Sequence, residues 1–220
     1  MTRREPVVLV HGMTAATDWW RSTIGALAPN RDVHVVRLPG STYRQAVDGL
    51  GGWLERENLL GATIVGHSMG GAVALLTAAE RPEAVGRLAL VAPAGVFGTR
   101  RRRSYVIPLA RSVGRSPGRL ALAARDVLRI GPRRLWQVAT DLLGADITPI
   151  LRNVRAPTLV VWGADDRLLP PTLGTVFADE IPNCRLVVLE GCGHVPMLEA
   201  PEALNEELLR FLEERSHEDR

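Results

Sequence analysis

The sequence predicts an α/β fold: a mostly parallel sheet of about six strands with helices on both faces, plus a small helical cap. Three observations predict it. Short apolar runs recur between segments of helical periodicity, as at Val7 to Val10, Ala62 to Gly66 and Thr158 to Trp162. Val7 to Val10 is apolar throughout rather than alternating, the mark of a strand buried on both faces of a parallel sheet. One stretch, residues 95–153, breaks the alternation and reads as an insertion.

Val7 to Val10 is the first strand and ends in His11-Gly12-Met13. Asp18 is placed to cap a helix that starts at Trp19-Trp20 and runs to about Leu27. Val33 to Leu38 is the second strand, closed by Pro39-Gly40. The next helix sets Ala46, Val47, Leu50, Trp53 and Leu54 on one face. The third strand, Ala62 to Gly66, leads through a turn into a small-residue helix that ends near Glu80, before Arg81-Pro82. Arg87 to Ala92, Thr158 to Trp162 and Arg185 to Leu189 complete the strands, and a last helix runs from Pro201 to about Glu214. No internal repeat is present. In such a sheet, ligands sit at the carboxyl ends of the strands.

Length and composition agree with one core. The chain has 220 residues, 46% of them apolar, enough for a single buried domain. No apolar run approaches the roughly 18 residues of a membrane helix, so no membrane insertion is expected. The start, Met-Thr-Arg-Arg-Glu-Pro, has no long apolar region, and no signal peptide is expected. Two cysteines, Cys184 and Cys192, are too few for a disulfide framework and read as reduced thiols of a cytoplasmic protein. All 27 basic residues are arginine, first a sign of GC-rich coding.

The chemistry concentrates at Thr63 to Gly71, T-I-V-G-H-S-M-G-G. Strand, sharp turn and helix follow one another, with Ser68 at the apex and Gly66 and Gly70 two residues to either side. A serine on a strained turn needs neighbours without a Cβ, because strand and helix approach too closely for larger side chains. The amides at the start of the helix face whatever the serine attacks, which suits an oxyanion.

A serine hydroxyl is a weak nucleophile and needs a base, usually histidine, oriented by a carboxylate. His217 lies in the charged tail, His34 within the second strand, and His11 at the end of the first. His67 adjoins the serine, points away from it, and reads first as structural. His194 follows the sixth strand in Gly191-Cys192-Gly193-His194, at a carboxyl end, and is the candidate base. A zinc site using Cys184, Cys192 and His194 lacks a C-x-x-C pair and a fourth ligand, so no metal is expected. The loop after the fifth strand offers two carboxylates, Asp165 and Asp166, whereas Pro93-Ala94-Gly95 after the fourth offers none.

These motifs together resemble the α/β-hydrolases: H-G-x after the first strand, G-H-S-M-G-G at the turn, W-G-x-x-D-x-x-x-P after the fifth strand, and G-C-G-H-V-P before the last helix. The resemblance covers nearly the whole chain. In that family the acid lies three residues past the glycine and four before the proline, which selects Asp166. The family's oxyanion-hole positions fall on Met13 and Met69. The chain opens at the family's third strand, without its two antiparallel leading strands, and the segment after Pro39-Gly40 is short. Met13 replaces the aromatic residue or glycine common at its position.

The resemblance implies a core of residues 1–94 and 154–220 and a helical cap of 95–153. It implies an acyl-serine mechanism on Ser68, Asp166 and His194 without a cofactor, acting on a carboxylic ester, thioester or lactone of a small to medium apolar substrate. Trp20, His67 and Leu135 are candidate pocket residues. The same array also serves perhydrolysis, C–C hydrolysis or acyl transfer, and a receptor on this fold would need no turnover. Dehalogenation is disfavoured because the nucleophile is serine. From Val96 to Ile150 there are 11 arginines against Asp126, Asp141 and Asp146, a local +8 in a chain of +3, leaving −5 elsewhere. Arg100 to Arg103 read first as solvated, and second as a contact for an acidic substrate or anionic surface. No aromatic interleaving accompanies them, so nucleic acid is not an expected partner. The expected assembly is a monomer or homodimer.

Overall fold

The computed structural model describes residues 4–12, 17–38, 42–96, 128, 131, 137, 140–141 and 146–214. Its six strands are β1 (Pro6–Val10), β2 (Asp32–Val36), β3 (Ala62–His67), β4 (Val85–Val91), β5 (Thr158–Gly163) and β6 (Cys184–Leu189). They form one parallel sheet in the order β2-β1-β3-β4-β5-β6. The chain steps from β1 outward to β2 and then returns to the far side of β1 as β3. That reversal opens a crevice above the carboxyl ends of β1 and β3, the place where such sheets bind ligands. The register pairs Val10 with Gly66 and His67 with Val91, so the end of β3 lies between the ends of its neighbours.

Successive residues of each strand face opposite layers, and both layers are apolar. Val8, Val10, Ile64, Leu88 and Leu90 belong to one core, shared with the helices α2 (Tyr43–Arg56), α3 (Met69–Glu80) and α4 (Thr172–Glu180). Val7, Leu9, Val65, Ala89 and Val161 belong to the other, beneath α1 (Arg21–Leu27) and α5 (Pro201–Glu213). Thr42 starts α2 by accepting the Gln45 amide at 3.3 Å, the first half of a T-x-x-Q capping arrangement.

Two helical details differ from the sequence reading. Thr17–Trp20 is a 3-10 turn, and α1 begins at Arg21 with no side-chain cap bond, because Trp20 turns inward into the core. The helix α4 has no counterpart in the sequence reading. Its T-L-G-T-V start is poor in helix formers, so packing decides it. Leu173 and Phe177, four residues apart, are buried, and the Phe177 ring lies 5.9 Å from that of Trp162. Gly174 permits this approach: a Cβ there would stand 3.1 Å from the Trp162 ring and 3.0 Å from Leu186.

Of the expected helical cap, residues 95–96, 128, 131, 137, 140–141 and 146–153 are described. Leu128, Gln137, Thr140 and Asp141 are α-helical, Thr148–Asn153 is a 3-10 helix, and Gly131 stands outside any helix with φ 82°. Asp141 Oδ2 accepts the Tyr43 amide at 2.5 Å, tying this segment to the start of α2. Leu135, Arg100 to Arg103, Met13 and His217 lie outside the described residues. Among the described residues, no helix is long and apolar enough to cross a membrane.

Candidate active site

Ser68 stands where β3 stops and α3 starts, with φ 52° and ψ −118°. A positive φ on a residue with a Cβ costs on the order of 1–3 kcal/mol and persists only when its surroundings enforce it. Here the Ser68 amide donates to Val91 O at 2.9 Å, and its carbonyl accepts from Ala72 at 3.2 Å and Ala94 at 3.1 Å. The flanking glycines are steric necessities. A Cβ on Gly66 would lie 2.6 Å from Gly70 O, and one on Gly70 would lie 2.6 Å from Val10 O. The side chain of Ser68 is thereby lifted above the sheet, half-buried, at the crevice between β1 and β3.

His194 reaches this serine from the loop after β6. Its Nε2 lies 3.1 Å from Ser68 Oγ, and its Nδ1 lies 2.7 Å from Asp166 Oδ2. A carboxylate only accepts, so Nδ1 carries the hydrogen and Nε2 is left as acceptor for the serine hydroxyl. Asp166 comes from the turn after β5, and its side chain is fully buried. Its second oxygen accepts the amides of Leu168 and Leu169, each at 2.9 Å. Asp165, one residue earlier, is exposed, and its amide donates to Cys192 O at 2.8 Å. Gly163 lets the two loops touch, since a Cβ there would press on the carbonyls of Cys192 and Gly193.

The histidine loop has two further partners: Glu199, which the sequence reading did not single out, and His67, which it named as a structural residue and a pocket candidate. Glu199 ends the helical turn Pro196–Glu199 and accepts the Gly193 amide at 3.0 Å and the Val195 amide at 3.1 Å. The one signal in the sequence was a carboxylate five residues after His194 in H-V-P-M-L-E. The other partner is His67, whose Nε2–H donates to His194 O at 2.9 Å. Its ring is buried between Trp19 and His194, with centroids 6.3 and 5.1 Å away. Burial, then repulsion from His194, pushes the His67 pKa down to about 3, so this ring is neutral beside the His194 imidazole. Burial likewise lowers the pKa of His11, whose Nδ1 lies 2.6 Å from Gly12 O.

Met69 is the first residue of α3, and its amide belongs to the first turn, where N–H groups lack intrahelical acceptors. Gly12 leads from β1 toward Met13 and passes close to the elbow: a Cβ on it would stand 3.0 Å from His67 Nδ1. Trp20 is 1% exposed and packs in the core with Leu27, Val65 and Phe211. Cys184 opens β6 and Cys192 follows its far end, so a strand of about 20 Å separates them. They do not converge with His194 on one centre. Burial also pushes the Cys184 thiol up to about 12, away from thiolate.

Serine, imidazole and buried carboxylate in this order form a relay able to take a proton from the hydroxyl as it attacks a carbonyl, and to return it to a leaving group. The profile of the alpha/beta hydrolase family matches residues 7–207. The dihydrolipoyllysine-residue acetyltransferase component of the acetoin cleaving system of Pseudomonas putida is 31% identical over 94% of this chain. The chain spans 63% of that relative's length. Monoacylglycerol lipase ABHD6 of Homo sapiens is 27% identical over 94% of this chain and 74% of its own. The crystal structure of a bacterial membrane phospholipase A superposes with a TM-score of 0.83 at 26% identity, covering 96% of this chain and 79% of that one.

Proposed function

Because the chain belongs to the alpha/beta hydrolase family, we propose that it is a serine hydrolase cleaving a carboxylic ester, thioester or lactone with an apolar acyl part. The observation that carries this reading is the pair of contacts of one imidazole, 3.1 Å to Ser68 Oγ and 2.7 Å to Asp166 Oδ2. Ser68 Oγ attacks the carbonyl carbon while His194 Nε2 takes its proton. Asp166 holds the tautomer and stabilises the imidazolium. The amides of Met69 and Met13 receive the developing oxyanion, a contribution of roughly 3 kcal/mol per donor in comparable sites. The His194 proton passes to the leaving alcohol, and a water deprotonated by the same ring releases the acid. Two of the relatives are named as a lipase and a phospholipase, which supports an acyl ester as the substrate class.

The test is hydrolysis of p-nitrophenyl esters from short to long acyl chains, by wild type and by Ser68→Ala. The expected result is turnover in the wild type that falls at least about 1000-fold in the variant, with a preferred chain length. Equal, trivial rates in both proteins would overturn the ester reading.

A further inference from the structure

We propose that Glu199 and His67 are positioning residues that clamp the backbone of the His194 loop and so hold its imidazole in line between Ser68 and Asp166. The proposal rests on the serine-hydrolase reading and adds the device that keeps the base in place.

The loop from Glu190 to Val195 carries two glycines, and Gly191 has φ 64°, so little in its own backbone restrains it. Restraint comes from outside at four consecutive residues. Cys192 O receives the Asp165 amide of the acid loop at 2.8 Å. The amides of Gly193 and Val195 donate to the two oxygens of the one Glu199 carboxylate, at 3.0 and 3.1 Å. The carbonyl between them, His194 O, receives His67 Nε2–H at 2.9 Å. Glu199 is itself anchored, because its amide donates to Val195 O at 3.0 Å.

The chemistry of each partner suits this task. A bidentate carboxylate on two amides is a charge-assisted pair of bonds, and it fixes the His194–Val195 peptide plane together with the Cys192–Gly193 plane one residue before. A neutral imidazole can donate to the carbonyl without placing a second positive charge against a base that must become imidazolium. His67 also precedes Ser68 in the chain, so the elbow that aims the nucleophile holds the loop that aims the base. A displacement of about 1 Å between reacting groups can cost on the order of 100-fold in rate, while leaving substrate binding nearly intact.

The experiment compares Glu199→Ala, Glu199→Gln, His67→Phe and His67→Gln with wild type and Ser68→Ala. The readouts are the rate of Ser68 modification by a fluorophosphonate probe, and kcat and KM on a short p-nitrophenyl ester, all measured well below each variant's Tm. E199A and H67F are expected to lose roughly 10- to 100-fold in probe reactivity and kcat, with KM little changed. Gln at position 67 keeps an N–H donor, and H67Q is expected to recover part of the loss seen in H67F. E199Q keeps one acceptor and should fall between E199A and wild type. If E199A does not fold, E199Q and the two His67 variants carry the comparison. Folded variants that label as fast as wild type would overturn the clamp alone, as would H67Q reacting no faster than H67F. Wild-type protein without Ser68-dependent labelling would instead overturn the serine-hydrolase reading, and the clamp with it.

Discussion

His67 donates its Nε2–H to the carbonyl oxygen of His194 at 2.9 Å, across 127 positions of sequence. The neighbour of the serine thus binds the backbone of the residue whose ring faces that serine. Three loops, from the ends of β3, β5 and β6, meet through main-chain and side-chain hydrogen bonds rather than through the reacting groups alone.

His67 makes stability depend on pH. Its folded-state pKa is about 3, below the ordinary 6.5, so the unfolded chain binds a proton below pH 6.5 that the folded chain refuses. Stability is therefore full above pH 6.5 and falls as pH drops toward 3, with a slope of up to about 1.4 kcal/mol per pH unit from this residue. Burial of His11 acts in the same direction. Urea denaturation at pH 7, 6, 5 and 4 should show the loss, and His67→Gln should show a shallower slope. An unchanged slope in that variant would remove His67 as the cause.

Asp166→Asn should abolish turnover while leaving the fold. The amide oxygen can keep the bonds from Leu168 and Leu169, but the NH2 group then faces His194 Nδ1 and imposes the wrong tautomer. A fall in kcat of roughly 10,000-fold is expected, with Tm within a few degrees of wild type. Asp165→Asn, at an exposed position, should leave kcat near wild type.

Two glycines should respond oppositely to alanine. Gly66→Ala puts a Cβ 2.6 Å from Gly70 O and 2.7 Å from Gly71 Cα, backbone atoms that cannot step aside without moving the elbow. Severe destabilisation, above about 3 kcal/mol, or failure to fold is expected. Gly25 lies inside α1 with nothing within 4 Å of a new Cβ, so Gly25→Ala should stabilise by about 0.5–1 kcal/mol. Chemical denaturation of both variants checks the contrast.

Phe177→Ala tests the helix that local sequence does not announce. The ring is fully buried against Trp162, whose Nε1–H donates to Leu169 O at 2.9 Å beside the acid loop. A loss of about 3–5 kcal/mol is expected from the cavity. Because Leu169 also donates to Asp166, kcat should fall in the folded fraction as well.

Much of the fold was legible because its signals are local. Apolar runs buried on both faces mark β1, β3 and β5, and the last helix shows both its start at Pro201 and its amphipathic spacing. The alternation of helix and strand was enough for a parallel sheet. By contrast, α4 is written in β-branched residues around a glycine, and only the faces of Trp162 and Leu186 make it a helix. Glu199 carries no local signal of its role, because the Gly193 and Val195 amides it accepts come to it only through the fold of the loop.

The sequence by itself determined the elbow, since glycine at 66 and 70 and serine at 68 answer a steric problem confined to a few residues. It also determined which loops carry a histidine and a carboxylate. Tertiary structure alone decided that Asp166 is buried with its oxygen 2.7 Å from His194 while Asp165 faces solvent. It also joined His67 to the His194 carbonyl and set Glu199 across two amides. The physical reason is range. Steric limits and periodicity act over a turn or a strand, whereas a hydrogen bond between residues 67 and 194 exists only once the sheet has brought their loops together.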